Sequence, residues 1–161
     1  MTTPPDRTAS PDRESPLAQQ DDVQDSLREV QALLRRQKRV ENLVHRQAHA
    51  EHRGQESPRP ELIENLVHQQ HLSTLQAALD AMHSADIAYV LEALPLEDRL
   101  QVWDLVKAER DGDILLEVSD AVRETLIESM APSELLAAVE TLDTDEVADI
   151  ARIKVRNAAG Q

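Results

Sequence analysis

With 161 residues, 31 Asp plus Glu against 17 Lys plus Arg and a formal net charge of -14, the chain has room for one medium domain with extensions and none for a large multidomain enzyme. So acidic a balance repels a polyphosphate backbone, which excludes nucleic acid as a partner. Three Gly, no Cys and no Phe exclude phosphate-cradling glycine loops, disulfides and thiolate metal sites. The core is left to aliphatic side chains around Trp103, with Tyr89 as the other aromatic.

In chain order, residues 1–19 are rich in Pro, Ser, Thr and Asp and read as a disordered tail, because they hold too little apolar surface to offset the entropy of ordering. They lack the apolar stretch of a signal peptide, and no run approaches ~18 apolar residues, so a cytoplasmic chain is expected. Residues 20–53 form a long basic helix: Val23, Leu27, Val30, Leu34 and Leu43 recur at helical spacing, with Arg35, Arg36, Lys38 and Arg39 among them. Gly54, Pro58 and Pro60 make 54–60 a linker.

Residues 61–157 follow as an acidic string of short helices, giving an all-α fold. Leu62–Val67 and Leu72–Met82 are expected as two helices, then a stripe from Ile87 to Leu94 closed by Pro95. A longer helix from Leu96 carries Trp103 on its buried side and ends near Asp111-Gly112-Asp113, where the glycine stops one helix and Asp113 caps the next. Helices anchored by Val122 to Met130, Leu135 to Leu142 and Val147 to Ala151 complete the chain.

Ser84, Ser119 and Thr144 each stand three residues before an aliphatic anchor, as capping hydroxyls would. Their intervals of 35 and 25 residues suggest stacked helical hairpins. A second echo sets Val40-Glu41-Asn42-Leu43-Val44-His45 against Ile63-Glu64-Asn65-Leu66-Val67-His68, a duplication offset by 23 residues. Charge divides as sharply: residues 1–71 hold 12 acids and 10 bases, whereas 72–151 hold 19 acids and 4 bases, a net of -15. Self-repulsion on that scale favours bound cations or a basic partner, and the plain alternative is a helix surface kept solvated.

The run from His83 to Val106 (HSADIAYVLEALPLEDRLQVWDLV) and that from Glu117 to Ile150 (EVSDAVRETLIESMAPSELLAAVETLDTDEVADI) resemble, in the same order, the cytoplasmic N-terminal domain of MgtE-type magnesium transporters. The resemblance covers about half of the chain. It implies a right-handed superhelix of short helices that senses cytosolic magnesium. The partners it implies are magnesium ions, a CBS-domain pair on which the acidic face docks when magnesium is high, and the membrane pore of a homodimeric transporter. It implies a place at the cytosolic face of the inner membrane. The residues stop at Gln161, short of a CBS pair, so the chain is expected to be the sensor without the pore. The loop from Glu109 to Asp113 departs from the family pattern.

Asp145 and Asp149 stand four apart on a predicted helix, so their carboxylates share one face and can meet one hydrated Mg2+. They match the paired acids of the family's magnesium-bridged interface. The ordinary reading is an acid complementing the helix dipole and a pairing of Asp149 with Arg152. Asp86 and Glu146, with Glu97, Asp98 and Asp143 behind them, are further candidates that first-turn capping also explains. His45, His49 and His52 would align three imidazoles for zinc or nickel, although Arg46 and Arg53 oppose a metal and solvated histidines are common. No nucleophile elbow or HExxH is present, so no enzyme chemistry is expected. An ion-independent helical-repeat adaptor is the alternative function.

Overall fold

The structure, a computed structural model, describes residues 16–51 and 59–159, with side chains described over 21–46 and 62–155. The described residues form eight α-helices and a single 3-10 turn, with no strand. The helices are α1 (Pro16–Glu51), α2 (Arg59–Ala81), α3 (Ser84–Ala93), α4 (Leu96–Trp103), α5 (Asp111–Glu117), α6 (Asp120–Ser129), α7 (Pro132–Val139) and α8 (Thr144–Ala159), with the 3-10 turn over Ala108–Arg110. The all-α expectation holds.

Helix α1 begins at Pro16, inside the segment expected as tail, because proline's fixed φ suits a first helical residue. The rest of that tail and most of the expected linker lie outside the described residues. Where two helices were expected between Leu62 and Met82, α2 runs unbroken. The bridge between them, His68-Gln69-Gln70-His71, holds neither glycine nor proline. What changes along α2 is its environment. Leu62, Ile63 and Leu66 are exposed, whereas Leu75 and Leu79 are buried with Val30 and Leu34 of α1. Glu41 meets Nδ1 of His68 at 3.1 Å. That antiparallel register sets Leu34 opposite Leu75 and Val30 opposite Leu79.

From α3 onward the chain is built on a period of 24 residues. The first helix of each hairpin starts at 84, 108 (through the 3-10 turn) and 132, and the second at 96, 120 and 144. The expected intervals of 35 and 25 came from comparing unlike positions. Ser119 is the N-cap of α6, its hydroxyl accepting from Val122 N–H at 3.4 Å, but Ser84 and Thr144 are already the first helical residues. Each helix packs on the one two places further along, α3 on α5, α4 on α6, α5 on α7 and α6 on α8. Equivalent slots bury equivalent groups: Leu91 with Leu115, Leu94 with Val118, and Trp103 with Ile127.

The α1–α2 hairpin is fastened to this stack. Lys38 Nζ lies 2.6 Å from Asp98 Oδ1, which holds the ammonium above its usual range through that hydrogen bond, and Gln101 donates to Gln37 at 2.9 Å. Asp98 is 14% exposed, so this ion pair is part of the packing.

The middle hairpin breaks the pattern at one slot. Asp111 stands where its sister hairpins carry Ile87 and Leu135, and at 9% exposure it is as buried as Leu135. Burial, with Glu134 and Glu109 nearby, raises its pKa to about 7. Gly112 beside it is no helix stop: it lies within α5, where an added Cβ would sit 2.6 Å from the Ala138 carbonyl oxygen. The close approach of α5 to α7 is what requires glycine here.

Two outcomes follow. Gly112→Ala lowers stability by about 1–2 kcal/mol, the overpacking cost less the gain in helix propensity, read from denaturant midpoints. For Asp111, the folded chain holds a proton between about pH 4 and about pH 7 that the unfolded chain has released, so stability falls as pH rises through that window and then levels. Asp111→Asn flattens that slope and is more stable than the parent above about pH 7, by on the order of 2 kcal/mol. Thermal melts across pH measure both effects.

Candidate functional site

Short helices leave carbonyls unpaired at each C-terminus, and in this chain the acidic segment's own arginines reach them. Arg99 donates through Nε to Leu91 O at 2.7 Å and through Nη2 to Leu94 O at 3.0 Å, closing α3. One repeat later Arg123 donates to Leu115 O at 2.5 Å, Leu116 O at 3.2 Å and Val118 O at 3.1 Å, closing α5. Arg110 reaches back to Leu79 O at 3.2 Å and Met82 O at 2.5 Å, closing α2. The fourth cation, Lys107, pairs with Asp80 at 2.9 Å. All four bases between residues 72 and 151 are therefore held by the fold, and none moves freely over the acidic surface.

Several of the acids terminate helices. Asp86 Oδ2 accepts from His83 N–H at 3.4 Å, Glu134 from Ala131 N–H at 2.7 Å and Glu146 from Asp143 N–H at 2.8 Å. Each sits three residues into its helix and closes the cap. Glu92 accepts from the Ser119 N–H, tying α3 to the start of α6. Of the four nominated ligands, Asp86 and Glu146 thus each have one oxygen engaged at an N-terminus. Asp98, a further nominee, is engaged by Lys38.

Asp145, Glu146 and Asp149 share α8, which packs on α6, whereas Asp86 stands on α3 beside α1, α4 and α5. Asp145 is exposed and makes no hydrogen bond or ion pair among the described residues. Asp149, 60% exposed, receives Arg152 Nη1 on Oδ1 at 3.2 Å. No three His, Asp or Glu side chains converge as a metal cage among the described residues. What the described residues offer on α8 is two exposed carboxylates one turn apart, Asp145 and Asp149.

Asp111 is buried and Asp113 exposed, so the two carboxylates do not share a surface. His45 lies on α1, while the side chains of His49 and His52 fall outside the described residues. The three capping arginines escaped the sequence reading. Their signal was the repeated spacing: Arg99 and Arg123 each follow by four residues the N-cap of their helix, Pro95 and Ser119.

No described helix is long and apolar enough to cross a membrane. No curated protein matches the chain, and no solved structure does. Residues 82–154 match the family model of the MgtE intracellular N domain, a span that takes in α3 to α7 and α8 as far as residue 154 and leaves α1 and α2 outside. The acidic stack closed by Arg99, Arg110 and Arg123 is thus the part of the chain that is similar to an MgtE-type N-terminal domain.

Proposed function

We propose that the chain is the magnesium-sensing regulatory part of an MgtE-type magnesium transporter, whose acidic stack docks on a CBS-domain pair when divalent cations neutralise the contact. The supporting observation is the charge arrangement. Residues 72–151 carry a net charge of -15, and their four cations are held in helix closures and in the Lys107–Asp80 and Arg123–Asp120 ion pairs, so beyond Arg152 at Asp149 further neutralisation is left to an outside cation. Asp145 and Asp149 would hold the ion, one turn apart on the solvent side of α8. Magnesium supplies positive charge and bridging water there, and the second module supplies the remaining contacts. The chain's own part is to present the carboxylates on a rigid helix whose start is fixed by Glu146. Arg152 acts as the competing cation while magnesium is scarce.

An ion-independent adaptor is the second reading, favoured by the absence of a converged ligand cage among the described residues. A titration separates the two. Millimolar magnesium raises the chain's unfolding temperature, because a ligand preferring the folded state stabilises it. Asp145→Asn with Asp149→Asn abolishes the rise, and Arg152→Ala enlarges it by freeing Asp149. A melt indifferent to magnesium in the parent and in Arg152→Ala, with the same affinity for a CBS pair with and without the ion, sinks the sensor reading and leaves the adaptor.

A further inference from the structure

The end of the α1–α2 hairpin remote from the stack carries an aliphatic surface that nothing in the described fold covers. Leu43 is 57% exposed, Ile63 56% and Leu66 69%. The duplicated motif explains why they lie together. The Glu41–His68 contact fixes a register in which Glu64 falls opposite His45 and Leu43 opposite Leu66. The hairpin is thus locally twofold about an axis normal to its two helices. A rotation of that kind keeps equivalent positions on the same side, so Leu43 and Leu66 rise on one face, with Ile63 beside them.

The same side of α1 is cationic. At 3.6 residues per turn, Arg36, Arg39 and Arg46 fall within the outward arc that contains Leu43. All three are exposed and form no ion pair among the described residues, unlike Lys38, which turns to Asp98. The chain therefore places these arginines around its exposed leucines, while residues 72–151 hold a net charge of -15.

We propose that this hairpin face docks on an anionic lipid surface, with Leu43, Ile63 and Leu66 entering the headgroup boundary and Arg36, Arg39 and Arg46 meeting phosphate groups. An occupant must be apolar and negative at once. A second copy of the hairpin supplies the apolar half but brings like charge, and the acidic stack of another copy supplies the charge without a matching aliphatic strip. A bilayer containing acidic lipids offers both. The acidic stack is repelled by the same surface, so only one orientation is favourable.

Flotation of the full chain with vesicles of phosphatidylcholine, with or without phosphatidylglycerol, tests this. Capture is expected only when phosphatidylglycerol is present, with release by added salt. Affinity falls about fivefold for each arginine removed among Arg36, Arg39 and Arg46. Leu43→Ser with Leu66→Ser abolishes capture, while Leu136→Ser, at an exposed leucine on α7, leaves it unchanged. Circular dichroism checks that each variant keeps its helicity. Equal capture by neutral vesicles, no capture, or capture indifferent to the leucine pair overturns the proposal. A dimer in light scattering that the Leu43/Leu66 variant dissociates, without vesicle capture, assigns the face to a second copy instead.

Discussion

Helices of seven to ten residues are too short to be stable alone, and the carbonyls at their ends are a large fraction of their backbone polar groups. In this chain guanidinium groups from a neighbouring helix close two of them, α3 and α5, two or three carbonyls to one side chain. A planar fork of donors suits that geometry, and a lysine in its place would offer a single point of charge. The positive groups also complement the negative end of each helix dipole. One contact thus satisfies polar groups, orders the hairpin and removes a cation from circulation on the surface.

That last effect joins fold to function. An ordinary acidic helix surface carries lysines that relieve its repulsion by local pairing, and four bases against 19 acids leave little scope for it here. With Arg99, Arg110 and Arg123 directed to main-chain carbonyls, and Arg123 also meeting Asp120, little positive charge is left over for the other acids of the segment. The field that results is a product of how the hairpins are closed.

Much of the fold was legible. Helical spacing, the buried stripes, the stop at Pro95 and the buried place of Trp103 all follow from residue pattern. The repeat was legible too, but cap residues were the wrong ruler, since a serine before a helix and a serine starting one look alike in sequence. The buried slots keep a truer register: 91 with 115, 94 with 118, 103 with 127. Helix α5 went unread because its stripe is interrupted by Asp111 and Gly112, two residues that suggest a break and here pack between helices. At the candidate site, helix spacing alone put Asp145 and Asp149 on one face, and the Arg152 pairing was anticipated. Whether Asp86 joins them depends on tertiary placement, which no local pattern carries, and it stands on another helix.

The family's outline begins at residue 82, yet the interior does not begin there. Val30, Leu34, Leu75 and Leu79 belong to the same buried cluster as Ile87 and Leu91, and Arg110 grips main-chain oxygens on the last turn of α2. A boundary drawn by kinship therefore cuts through a unit drawn by cohesion. The two leading helices share their interior with the hairpins, so whatever grips their far end also bears on the stability of the stack.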